Sequence, residues 1–173
     1  VVKLTSAGEL DWQKSLGGSG YDIAFSVRQT TDGGYIIAGR SNSNDGDVSG
    51  NHGEWDCWIV KLTSAGGLDW QKSLGGSDMD EARSIHQTTD GGYIIAGFSR
   101  SNDGDVSGNQ GEYDYWIVKL TSTGDLHWQK SFGGSGFDRA YSIHQTTDGG
   151  YIIAGDSKSN DGDVSGIQGE YDY

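Results

Sequence analysis

The sequence predicts an all-β chain built from repeats of four short antiparallel strands. Three observations carry that expectation. First, one block is written three times at a spacing of 58 residues. Asp11-Trp12-Gln13-Lys14-Ser15-Leu16-Gly17-Gly18-Ser19 returns from Asp69 and again from His127, with Phe132 in place of the leucine. Self-similarity on this scale marks stacked supersecondary units that bury apolar faces against copies of themselves. Second, apolar and polar residues alternate over short runs, and no window shows the 3.6-residue period of a helix. Third, the chain holds 30 glycines and no proline, with the glycines at fixed phases of the repeat. Glycine in such places supplies the positive φ of tight turns.

The repeat from Gly75 to Phe132 shows the elements in order. The first run is Ala82 to Thr88, closed by Thr89-Asp90-Gly91-Gly92, a hairpin turn. The second is Tyr93-Ile94-Ile95-Ala96-Gly97. A long polar stretch from Ser99 to Asp114 follows. The third run is Tyr115 to Leu120, with Trp116, Val118 and Leu120 on one side. A turn at Thr121-Ser122-Thr123-Gly124-Asp125 leads to the fourth run, Leu126 to Phe132. Strict alternation there places Leu126, Trp128, Lys130 and Phe132 on one face and His127, Gln129 and Ser131 on the other.

Four strands and one long loop in such a repeat fit a single β-propeller blade. Thr-Ser-x-Gly-x-x-x-Trp between the third and fourth runs resembles a degenerate Asp-box hairpin, with Ala7, Ala65 and Thr123 at the place of its acid. Asp-x-Ala-x-Ser-(Val/Ile)-x-Gln-Thr-Thr-Asp-Gly-Gly-Tyr-Ile-Ile-Ala-Gly resembles blades of secreted, Bacteroidetes-like surface repeat proteins. The resemblance covers the whole chain and implies a β-propeller-type fold and a secreted or cell-surface location. It implies no activity, because propellers host many functions. Residues 1–173 then form a single repeat array. Residues 17–74 and 75–132 are whole blades, 1–16 the outer strands of a split blade and 133–173 its inner strands. The expected partner is the chain itself. A homodimer closing a six-bladed ring comes first, and a head-to-tail assembly, a three-sheet prism and an excerpt of a longer array are the alternatives.

Net charge is −13. This argues against nucleic acid, whose phosphates need clustered Lys and Arg, and against an anionic membrane surface. No apolar run approaches the ~18 residues of a membrane span. The lone Cys57 exchanges with Tyr115 and Tyr173 in the other copies, so it is neither a required nucleophile nor a ligand. The chain has no nucleophile elbow, no phosphate loop and no zinc spacing. It reads as non-catalytic.

The long loop holds the candidate metal ligands. These are Asp45, Asp47 and Asp56, then Asp103, Asp105 and Asp114, then Asp161, Asp163 and Asp172. Ca²⁺ takes six to eight hard oxygens, and Ser41-x-Ser43-x-Asp45-Gly46-x-Val48 resembles the core of a Ca²⁺ loop. A solvated turn capped by Asp and Asn is the competing reading. Trp55, Tyr113 and Tyr171 end the loops and are the candidate ligand-binding aromatics, since sugars stack on such rings. Trp70 and Trp116 read as core between blades. Arg28, His86 and His144 share a phase on the first run. The expected function is therefore a secreted, self-assembling structural or binding protein with acidic loops. A multivalent glycan binder is one alternative. An engineered or recently amplified repeat without an evolved ligand is another.

Overall fold

The computed structural model describes all 173 residues as twelve strands with no helix. The amino-terminal hairpin is β1 (Val2–Leu4) and β2 (Leu10–Gln13). Two four-stranded units follow: β3 (Asp22–Gln29), β4 (Tyr35–Ser41), β5 (Asp56–Leu62) and β6 (Leu68–Leu74), then β7 (Asp80–Gln87), β8 (Tyr93–Ser99), β9 (Asp114–Leu120) and β10 (Leu126–Phe132). The chain ends in β11 (Asp138–Gln145) and β12 (Tyr151–Ser157). Within each unit the strands lie side by side in chain order, all antiparallel. The two hairpin turns expected in each repeat form, six along the chain. Gly91, for instance, takes φ +83° in the turn from β7 to β8.

Two irregularities repeat. A bulge in each first strand, between Ala24 and Ser26 and between Ala82 and Ser84, turns Phe25 and Arg83 out of register. A second bulge follows the leucine that opens each fourth strand. In β10, Leu126 faces Leu120 while Trp128 faces Lys119. Strict alternation along that run is therefore wrong at its first step. Leu126 lies on the face of Leu120, and Trp128, Lys130 and Phe132 lie on the face of Lys119. One extra residue in the strand shifts everything after it to the other face.

The sheets stack face to face in chain order. Ile36, Ala38, Cys57 and Ile59 of the first four-stranded sheet meet Ala82, Ile85, Ile95, Trp116 and Val118 of the second in one buried cluster. Ile94, Ala96 and Ile117, on the opposite face of the second sheet, meet Ala140 and Ile143 of the β11–β12 hairpin. Trp12 and Leu16 pack beside Ile37, Trp58 and Val60 on the free face of the first. An indole–phenol contact marks all three interfaces: Trp12 on Tyr35, Trp70 on Tyr93 and Trp128 on Tyr151, edge-on with centroids 5.6, 5.8 and 5.9 Å apart. The buried indoles are satisfied, with Trp58 and Trp116 each donating to a glutamine at 2.9 Å.

The first strands of successive sheets converge on one side of the stack. Ile85 N–H donates to Ser26 Oγ at 3.3 Å, from β7 to β3. Thr31 N–H donates to Gln87 Oε1 at 2.8 Å, and Thr89 N–H to Gln145 Oε1 at 3.0 Å. The two-stranded sheets β1–β2 and β11–β12 lie at opposite ends and do not pair with each other in this chain.

Candidate functional site

Each interface between sheets is pinned by one aspartate. Gly76 N–H donates to Asp80 Oδ2 at 2.7 Å, Ser101 Oγ donates at 2.9 Å, and Ser99 Oγ donates to Oδ1. Asp138 holds Gly134 N–H at 2.9 Å, Ser159 Oγ at 2.7 Å and Ser157 Oγ. Asp22 holds Gly18, Ser41 and Ser43 in the same way. The serines that resembled metal ligands are thus donors to a carboxylate at the start of the same sheet.

A second buried aspartate enters from the preceding sheet. Asp56 and Asp114 are fully buried, and each accepts a backbone N–H on Oδ2, from His52 at 3.0 Å and Gln110 at 2.9 Å. Their Oδ1 atoms have no partner. The two carboxylates of a junction flank one glycine. A Cβ on Gly133 would sit 2.7 Å from both Asp114 Oδ1 and Asp138 Oδ2, and one on Gly75 would sit 2.4 Å from Asp80 Oδ2 and 3.1 Å from Asp56 Cγ. Burial pushes the Asp80 carboxyl up to about 6, against its hydrogen bonds, with the Asp56 charge adding to the rise. Burial also pushes Asp114 to about 6, helped by the charges of Asp138 and Asp163. Asp56 is raised by burial as well, opposed by His52, whose Nδ1 lies 2.7 Å away.

The remaining expected ligands clamp the loop. Ser19, Ser77 and Ser135 N–H donate to Asp45, Asp103 and Asp161 at 2.7, 2.8 and 2.8 Å. Gly17 and Gly75 N–H donate to Asp47 and Asp105 at 3.2 and 3.3 Å, and Gln110 Nε2 donates to Asp163 at 2.9 Å. Asp172 accepts from Gln168 N–H. No group of three or more histidine, cysteine, aspartate or glutamate side chains is arranged to hold a metal ion.

The loop-end aromatics also touch protein. Trp55 stacks on Tyr21, with Arg40 over its ring at 4.3 Å. Tyr113 packs on Phe98 and Phe137, both at 5.3 Å. Tyr171, the most exposed, has Lys158 Nζ 4.3 Å above its ring. Trp55 and Tyr113 also bridge in parallel to Met79 and Phe137, ahead of the next sheet. Across the converging first strands, Arg28 Nη2 lies 3.4 Å from His86 Nε2, and the His86 and His144 rings are 4.4 Å apart. Burial, Arg28 and His144 together lower the basicity of His86.

The two half-sheets are the other candidate. Val2 is 63% exposed while its repeat equivalent Val60 is 1% exposed, and Ile152 is 64% exposed while Ile94 is 0% exposed. The same chemistry is core in one copy and surface in another because the flanking strands are absent there. The pinning aspartates Asp22, Asp80 and Asp138 escaped the sequence reading, although they recur in every copy.

No family model matches the chain. The chain is 30% identical over 150 residues to the regulatory protein FlaEY of Caulobacter vibrioides, a match that covers 78% of this chain and 16% of that protein.

Proposed function

We propose that this chain is a non-catalytic structural module of propeller-type sheets that joins copies of itself through its two half-sheets. The carrying observation is the exposure of Val2 and Ile152 at positions whose equivalents Val60 and Ile94 are core. A row of unpaired strand groups beside apolar side chains is a template for another strand. Two copies make a ring of six sheets. The similarity to a 16% stretch of a longer protein fits a modular unit. Native mass spectrometry across a concentration series tests the reading. A concentration-dependent multimer supports it, and a monomer at every concentration refutes it.

A second reading rests on the unpartnered Oδ1 atoms of Asp56 and Asp114. A buried carboxylate oxygen without a donor is costly, and a hard cation such as Ca²⁺ beside it removes that cost. Melting curves with EGTA and with millimolar Ca²⁺ test it. Equal midpoints remove the ion.

A further inference from the structure

The geometry points to one register for the joint between copies: β1 of a second copy adds to the free edge of β12, with Lys3 opposite Ile152 and its ammonium on Asp148. This rests on the self-assembly reading and names the partner's contact residues. The internal sheets supply the template. In the second sheet, β8 pairs with β9 as Tyr93 with Leu120, Ile94 with Lys119 and Ile95 with Val118. The first sheet repeats this as Tyr35 with Leu62, Ile36 with Lys61 and Ile37 with Val60. Carried forward one repeat, Tyr151 meets Leu4, Ile152 meets Lys3 and Ile153 meets Val2. The first rung of that ladder already exists within the chain, where Ser157 bridges to Asp172 as Ser99 does to Asp114.

Charge fits the same register. Lys61 Nζ reaches Asp32 at 2.8 Å, and Lys119 Nζ reaches Asp90 at 3.0 Å, each lysine also donating to the next backbone carbonyl. The third acid, Asp148, accepts from Thr146 Oγ1 and from Gly150 N–H at 3.1 Å and takes part in no ion pair within the chain. The third lysine, Lys3, pairs instead with Asp11 on its own hairpin. Exchanging Asp11 for Asp148 would give Lys3 the setting of its two equivalents.

Other contacts complete themselves in this register. Thr31 and Thr89 N–H each bond a glutamine of the next sheet, Gln87 and Gln145. Thr147 would find Gln29 of the second copy. Asp80 and Asp138 N–H bond the carbonyls of Trp55 and Tyr113. Asp22 of the second copy would find Tyr171, which is exposed, as is Tyr21 beside Asp22.

Cysteine pairs in the assembled protein test the register, with native mass spectrometry on the same samples. Lys3→Cys with Ile152→Cys should oxidise to an inter-chain disulfide. In the single chain Ile152 is exposed and Lys3 half-buried outside the core clusters, so neither change opens a cavity in the core. Val2→Cys or Leu4→Cys with Ile152→Cys should cross-link at least ~10-fold less, because a one-residue step faces the other side of the sheet. Assembly with cross-linking favoured through Val2 or Leu4 overturns the register alone. A disulfide closed within one chain overturns the second copy. A monomer at all concentrations overturns the self-assembly reading too. As an independent arm, Lys3→Glu or Asp148→Lys alone should weaken assembly by about 10-fold or more, since an unpaired charge is left in the joint. The two together should restore it, and failure of that rescue refutes the pair.

Discussion

Lys61 is bonded to Asp32 across the first sheet, yet the lysine side chain is 4% exposed and the aspartate 61%. The pair is therefore asymmetric. Removing the acid strands a buried ammonium with only the Leu62 carbonyl at 3.1 Å, while removing the lysine leaves an acid that water solvates. Asp32→Ala should cost about 1–3 kcal/mol. Lys61→Met keeps the buried stem and should cost under about 1.5 kcal/mol. Urea unfolding of both variants checks the order, and the reverse order would refute the asymmetry.

Stability should rise on mild acidification. Asp80 and Asp114 titrate at about 6 in the folded chain, above their ordinary unfolded value of about 3.9. The folded state then binds more protons. Their contribution is full below the unfolded value and is lost as pH rises through about 6. Asp32 and Asp90 act in the opposite sense. Lys61 foremost holds Asp32 below the carboxylate range, and Thr88, Gly92 and Lys119 hold Asp90 there. Their contribution is lost as pH falls below about 4. Denaturation midpoints in metal-free buffer should peak between about pH 4 and 5. Asp80→Asn with Asp114→Asn should flatten the slope from pH 5 to 7.

Two glycines at different places should respond very differently to alanine. A Cβ on Gly97 would lie 1.7 Å from the Glu81 carbonyl oxygen across the first-strand bulge. Gly97→Ala must move backbone and should cost more than about 3 kcal/mol. Gly91 has nothing within 4 Å of a Cβ, so only its φ of +83° opposes alanine. Gly91→Ala should cost roughly 1–2 kcal/mol. Thermal melting distinguishes them.

One substitution at equivalent positions separates assembly from folding. Ile152→Lys falls on an exposed edge and should change single-chain stability by no more than about 0.5 kcal/mol while abolishing the multimer. Ile94→Lys buries an unpaired charge in the second sheet and should prevent folding. Circular dichroism and light scattering read the two effects separately.

The strands were legible because their period of two and the glycine turns are local. All twelve fall at or beside the runs seen in the sequence. The bulge after Leu126 was not legible. Leu-His-Trp-Gln alternates on paper, and the register slip is imposed by pairing with β9. The clamping role of Asp45 and Asp103 was not legible either, since a turn reading looks to local backbone and their partners Ser19 and Ser77 lie 26 residues back. The role of Asp80 was hidden for the same reason, with serine partners 19 and 21 residues further on that reach it only through the sheet. Burial decided the rest. Asp56 and Asp114 look like their exposed loop neighbours until the next sheet covers them.

The two hairpins at the ends of the stack are unlike surfaces: one carries the third and fourth strands of a repeat and the other the first and second. In the proposed assembly every added copy re-creates one vacant donor and one vacant acceptor unless the last meets the first. A chain shortened by its first sixteen residues would keep the acceptor and lose the donor. Added in small amounts, it would act as a terminator, capping growing ends and shortening any filament while leaving rings that have already closed untouched.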